Sequence, residues 1–232
     1  MTREPFAIGF DFDHTLGVDH GLELRALYEY AAELGRPLDP HDAALRSALE
    51  KFLTDFRAGL MTLDTMVAVF AEQIGARAGA PQRWCETCYR LVDELVRPID
   101  GAVELVTSLR ARAVPIAVLT NGWTPLQQKK IARALGAAAD GIPVLVSDAL
   151  GAHKPARAAF DALVAALGVP REYTWYVGDN PRGDIGGALA AGLRAVWFDW
   201  EGVSYPQDLP PPTGRISALR ELEALAQNTY AP

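Results

Sequence analysis

Residues 6–19 read FAIGFDFDHTLGVD, a short apolar run that stops at two aspartates, Asp11 and Asp13, one residue apart. An apolar run of this length between polar flanks reads as a buried strand. Carboxylates at the mouth of a buried strand are costly to desolvate unless a partner meets them. The stretch therefore requires a sheet buried on both faces and a charged partner at the end of its first strand. A parallel α/β sheet meets the first requirement, because helices cover both of its faces and its strands are near-continuous apolar runs.

The rest of the chain supplies such runs. Strands are predicted at 6–10, 115–119, 143–146, 174–177 and 195–198, and helices at 101–113, 124–135, 155–167 and 183–191. Pro155 suits a first helical position and Gly168 a C-terminal stop. The segment 21–96 is different: four apolar stripes at helical spacing run through it without a strand. Leu24, Leu27, Tyr28, Ala31 and Leu34 form the first; Leu45, Leu49, Phe52 and Phe56 the second, after an Asp39–Pro40 start signal. Leu63, Met66, Val67, Phe70 and Ile74 form the third, and Trp84, Cys88, Leu91 and Leu95 the fourth. The expected organisation is a Rossmann-like parallel sheet with helices on both faces, formed by residues 1–16 and 99–232. A helical domain, residues 17–98, is inserted after the first strand.

In open parallel sheets ligands bind beyond the C-terminal ends of the strands. Asp11 and Asp13 follow the first strand; Thr120 and Asn121 follow the second; Asp148 and then Lys154 follow the third; Asp179 and Asp184, in GDNPRGD, follow the fourth. Acids, a hydroxyl, an amide and one lysine suit a hard cation and a phosphoryl group. Carboxylate oxygens are the preferred ligands of Mg²⁺, and lysine, hydroxyl and backbone N–H groups hold phosphate.

These four stretches, in this order, carry a resemblance. DFDHTL resembles motif I of the haloacid dehalogenase-like (HAD) superfamily, and LTNG, Lys154 before Pro155, and VGDNPRGD resemble its motifs II, III and IV. The likeness runs from about residue 6 to 225, and the helical insert resembles that family's helical cap of the first type. The resemblance implies a Mg²⁺-dependent phosphatase acting on a small phosphorylated metabolite. It implies Asp11 as the nucleophile that forms an aspartyl phosphate, and Asp13 as general acid and then base. Thr120 and Asn121 would hold phosphoryl oxygens, and Lys154 would offset charge between Asp11 and the phosphate. Asp179 would ligate Mg²⁺ with Asp11 and the backbone carbonyl of Asp13. Asp184 would sit behind the metal or reach it through water.

The chemistry agrees with that assignment. Phosphate monoesters are among the slowest substrates to hydrolyse unaided, and a covalent intermediate divides the step. A phosphate dianion approaching an anionic carboxylate needs cations to offset repulsion. An acid at Asp13 argues against dehalogenation, because a halide leaves unprotonated. It also argues against phosphonate cleavage, which in this family uses a cap lysine; Lys51 is the only lysine of the insert. A phosphomutase of the same superfamily remains an alternative. So does a non-catalytic phospho-aspartate signalling or binding module, although a receiver domain is shorter and lacks both the insert and GDNPRGD.

Several residues have plainer readings. Asp179 and Asp184 could cap the helix near Gly183. His14 replaces the family's usual glycine and is expected to turn away from the site. Cys85 and Cys88 are too few for a disulfide framework and suit packing in the insert. His20, Glu23, Arg46 and Arg57 are expected on a solvated face, and Trp123 at the entrance or half-buried. A net charge of −7 does not favour nucleic acid or anionic membranes. No run approaches a membrane span and MTREPFAIGF shows no signal peptide, so a cytoplasmic location is expected.

Overall fold

A computed structural model describes residues 6–77 and 79–222 of the 232-residue chain. The first five residues, on which the signal-peptide reading partly rests, and the end of the expected core segment, 223–232, lie outside the described residues.

Strand β1 (Ala7–Phe10) is followed by a tight turn and the two-residue β2 (Gly17–Val18). Four helices follow: α1 (Leu22–Glu33), α2 (Ala43–Arg57), α3 (Leu63–Gln73) and α4 (Pro81–Leu95). The chain returns through β3 (Arg97–Pro98), which pairs antiparallel with β2. Then come α5 (Ala102–Ala111), β4 (Ile116–Thr120), α6 (Leu126–Leu135), β5 (Val144–Val146), the single turn α7 (Ser147–Leu150) and α8 (Arg157–Leu167). After these come β6 (Thr174–Gly178), α9 (Gly187–Ala190), β7 (Arg194–Phe198) and β8 (Gly214–Ile216).

The main sheet has the order β5-β4-β1-β6-β7-β8, and all of its pairings are parallel. Strands β1, β4 and β6 are buried along their whole length. Two apolar clusters account for this, one containing Ile8, Phe10, Val118 and Val177 and the other Ala7, Ala117, Leu119 and Tyr176. Alternate residues of each strand thus enter opposite layers, as the period of two demands. From β1 the chain builds outward to β4 and β5, then crosses to β6 on the other side of β1. The resulting switch point lies beside β1, where a crevice forms at the strands' carboxyl ends.

The four helices between β2 and β3 bury their stripes together: Leu27 and Tyr30 of α1, Leu53 and Phe56 of α2, Met66 and Phe70 of α3, and Trp84, Cys88 and Leu91 of α4. The first cluster runs without a break from the insert into one face of the sheet. Trp84 and Tyr89 of α4 meet Trp123, just before α6, with ring centroids 5.4 and 5.7 Å apart.

Three local expectations are corrected. Asp42, not Asp39–Pro40, starts α2, its side chain accepting from the N–H groups of Ala44 and Leu45 at 3.0 Å. Pro155 precedes α8 by two residues. The predicted helix 183–191 divides into a wide turn, Pro181–Gly186, and α9. The wide turn is capped by Asn180, whose Oδ1 accepts from Arg182 N and Gly183 N at 3.0 and 2.9 Å. Among the described residues no helix is long and apolar enough to cross a membrane.

Candidate active site

The seven residues singled out from the sequence, Asp11, Asp13, Thr120, Asn121, Lys154, Asp179 and Asp184, all line one cavity of about 490 Å³ at the switch point. They divide into two groups with different surroundings.

Asp11 leaves β1 with its N–H donating to Val177 O of β6 at 2.8 Å. Its Oδ1 accepts from Lys154 Nζ at 2.6 Å. The same ammonium donates to Asp184 Oδ1 at 2.7 Å and to the Tyr176 hydroxyl at 2.9 Å. Tyr176 in turn donates to Leu119 O at 2.8 Å. A buried lysine with its donors spent in this way is fixed in position as well as charge. Gly178 ends β6 because a Cβ there would overlap the Asp184 carboxylate. Asp184 is drawn back onto the strand end by Asn180 N, which donates to its Oδ2 at 3.0 Å. Asp179 is held by its own backbone, its carbonyl accepting from Trp197 Nε1 at 2.9 Å.

Asp11, Asp179 and Asp184 each bring a carboxylate oxygen within 4.8 Å of the others. Burial pushes the Asp11 carboxyl up to about 7; Lys154 opposes the shift, and Asp184 and Asp13 add to it. Burial likewise pushes Asp179 up to about 8, reinforced by Asp11 and Asp184. Three clustered carboxylates with one ammonium leave negative charge uncompensated. Hard oxygen donors in such excess fit a hard divalent cation.

Asp13 stands apart from these three. Its carboxylate pairs with Lys130 Nζ and accepts from Gln127 Nε2 at 2.7 Å. Both partners lie on α6, three residues apart and so on one face. Gln127 Nε2 also lies 3.0 Å from Thr120 Oγ1 and 2.8 Å from Asn121 O. Lys130 reaches Asp19 Oδ2 at 2.7 Å as well. Burial alone would raise the Asp19 carboxyl, but Lys130 holds it well below the usual range. Asn121 turns its side chain onto the backbone of Lys154: its Nδ2 donates to Lys154 O at 3.0 Å and its Oδ1 accepts from Lys154 N at 2.8 Å.

Sequence reasoning missed Tyr176, Gln127, Lys130 and Asp19. The available signal was a hydroxyl-bearing ring inside an apolar strand, and two polar residues three apart on the buried face of a helix. His14 has φ 59°, the left-handed region that favours glycine. Its ring stacks on Trp200 at 5.9 Å while still bordering the cavity. Glu23, expected on a solvated face, is buried. It accepts from Trp123 Nε1 at 2.9 Å and pairs with Arg57 at 2.6 Å. His20 and Arg46 are exposed. Cys85 and Cys88 are free and buried, and burial pushes the Cys85 thiol up to about 11.

The chain has relatives among known proteins. The phosphoserine phosphatase of Thermus thermophilus is 36% identical over 156 residues, covering 66% of this chain and 62% of that protein. The pyrimidine 5'-nucleotidase YjjG of Escherichia coli is 33% identical over 147 residues, covering 62% and 64%. The chain thus spans somewhat under two thirds of each relative's length. The crystal structure of the HAD-hydrolase YfnB of Bacillus subtilis bound to magnesium superposes with a TM-score of 0.73. It is 24% identical and covers 96% of this chain and 99% of that one. Residues 7–192, which include every motif described above, match the profile of the haloacid dehalogenase-like hydrolases, and the chain belongs to that family.

Proposed function

We propose that the chain is a Mg²⁺-dependent phosphatase that hydrolyses a small phosphorylated metabolite through an aspartyl-phosphate intermediate. The observation that carries this reading is the placement of Asp11, Lys154, Asp179 and Asp184 around one cavity at the sheet's switch point, with Thr120 beside them. The phosphatase name of one relative, the 5'-nucleotidase name of another, and the magnesium in a structure of the same fold support it.

In this reading Asp11 and Asp179 would hold the cation, together with the backbone carbonyl of Asp13, and Asp184, whose oxygens meet Lys154 and Asn180 N, would sit behind it or reach it through water. The cation would supply charge neutralisation for the phosphoryl oxygens. A carboxylate oxygen of Asp11 attacks phosphorus, forming the O–P bond as the ester P–O bond breaks. Asp13 gives a proton to the departing alkoxide and then takes one from the water that cleaves the aspartyl phosphate. Lys154 opposes the burial that raises the Asp11 carboxyl and aims it through a 2.6 Å contact. Asn121 clamps the Lys154 backbone, and Thr120, tied to Gln127, offers its hydroxyl to the phosphoryl group. Residues 17–98 act as a cap, whose Thr54, Arg57 and Ala58 border the same cavity. The test is hydrolysis of p-nitrophenyl phosphate with and without Mg²⁺, with Asp11→Asn as control. Metal-dependent turnover that is lost in the variant supports the reading; metal-independent turnover, or turnover retained by the variant, overturns it.

A further inference from the structure

A second cavity, of about 410 Å³, adjoins the first. Three stretches of chain pass from one to the other. Thr120 and Asn121 line the first cavity, and Gly122 and Trp123 the second. Lys154 lines the first, and His153 the second. From the insert, Arg57 lines both, between Thr54 and Ala58 on one side and Phe56 and Gly59 on the other. The second cavity therefore begins one residue beyond the groups assigned to the phosphoryl end.

Its chemistry is different. Phe56, Leu60, Met61 and Leu63 of the insert face Trp123 of the core. The guanidinium on its walls is already engaged, and the carboxylate there is held by neutral donors. Arg57 pairs with the buried Glu23 at 2.6 Å. Asp148 accepts from Thr124 N at 2.8 Å and Thr124 Oγ1 at 3.0 Å. The His153 ring lies on the bare backbone of Gly59 (φ +77°), where a Cβ would overlap it. An apolar space with few free polar groups, continuous with a reaction centre, takes the uncharged part of a ligand.

Building on the phosphatase reading, we infer that the second cavity is the subsite for the alcohol half of the substrate, and that the preferred substrates are phosphate monoesters of uncharged, apolar alcohols. A dianionic end held at Asp11 and Lys154 extends across Arg57 and seats its carbon skeleton between Trp123 and residues 60–63. A leaving alcohol that carries a carboxylate is disfavoured, because Arg57 is already paired with Glu23 and Asp148 on the wall repels it.

The experiment measures kcat/KM with Mg²⁺ for methyl, propyl and hexyl phosphate and for phosphoglycolate. The alkyl series keeps the acidity of the leaving alcohol nearly constant, so its trend reports binding. Each added methylene is expected to raise kcat/KM about three- to fourfold, and phosphoglycolate, with its added carboxylate, is expected to fall below propyl phosphate. Leu60 is 72% exposed at the rim, so Leu60→Asp leaves the fold intact. It is expected to cut the hexyl-to-methyl ratio at least about fivefold; Met61→Asn checks the neighbouring position of the same wall in the same way. Turnover of methyl phosphate with a flat series, a preference for phosphoglycolate, a ratio unmoved by both variants, or turnover of p-nitrophenyl phosphate alone overturns the subsite while leaving a phosphatase. No turnover of these esters or of p-nitrophenyl phosphate overturns the phosphatase reading itself, and the subsite with it.

Discussion

Two buried charge clusters lie within one cavity's reach, and they are built on opposite principles. The first sets Asp11, Asp179 and Asp184 against the single ammonium of Lys154. It stands on the ends of β1 and β6, where the backbone is fixed by parallel ladders. The second sets Asp13, Asp19 and Glu23 against Lys130 and Arg57, and joins α6 to the helical insert. In the first, burial and mutual repulsion push two carboxyls up to about 7 and 8. In the second, Lys130 overrides burial and holds Asp19 down. A cluster close to balance positions groups; a cluster left short of positive charge is prepared to receive some.

The sharpest way to break this contrast is Asp11→Asn. In the proposed mechanism this change removes the nucleophile, and it is expected to lower kcat by about 10⁴-fold or more. The same change removes one of three crowded carboxylates, so the metal-free variant is expected to melt at a higher temperature than the parent. Calorimetry beside the phosphatase assay checks both. A variant that is inactive and also less stable metal-free would mean that the acids are no more strained than those of the second cluster.

The opposite result is expected in the balanced cluster. Lys130→Met leaves Asp13 and Asp19 without their shared cation in a buried setting. Removing one partner of a buried pair costs about 3–5 kcal/mol. Asp13 keeps 29% of its side chain exposed, which puts the expectation at the lower end, about 3 kcal/mol. Urea unfolding measures it. A loss below about 1 kcal/mol would reduce the Lys130 pairs to the worth of surface ion pairs.

What the sequence made legible follows the same division. The first cluster could be read because its acids follow apolar runs directly, where a carboxylate has no structural reason to be. The sheet could be read for the same reason: β1, β4 and β6 are buried throughout, so their composition is continuous. The second cluster sits inside regular elements. Lys130 and Gln127 occupy helix positions that suit any good helix former, and only the tertiary approach of Asp13 gives them a role. Tyr176 reads as one more apolar residue of β6 until Lys154 is placed beneath its hydroxyl. Strands β2, β3 and β8 were missed because two or three residues carry no period, and Arg215 of β8 is exposed. The start of α2 was placed three residues early because Asp39–Pro40 and Asp42 offer the same chemistry, and only backbone geometry decides which one caps.

The finest discrimination between the clusters is in pH dependence. An aspartate has an ordinary value of about 3.9 in the unfolded chain. Asp11 and Asp179 are raised in the folded protein, so the folded state holds its protons more tightly than the unfolded one. Stability then falls as pH rises, because the unfolded state binds fewer protons over that interval. The contribution of these two groups is fully present below about pH 4 and is lost as pH rises through about 7 to 8. Metal-free protein is therefore expected to melt at a lower temperature at pH 8.5 than at pH 6, in buffers of equal ionic strength. In the proposed reading Mg²⁺ binds the ionised acids, so its stabilisation is expected to grow over the same interval, reaching about 2.7 kcal/mol at a hundredfold excess over Kd. At roughly 2–4 °C per kcal/mol for a chain of this size, the shift is readable by calorimetry. Asp19 works with the opposite sign: its carboxyl is lowered, so its contribution is lost only under acid. A metal-free melting temperature that stays level from pH 6 to 8.5 would mean that the first cluster is compensated without a cation. That would remove the physical basis for placing Mg²⁺ among Asp11, Asp179 and Asp184.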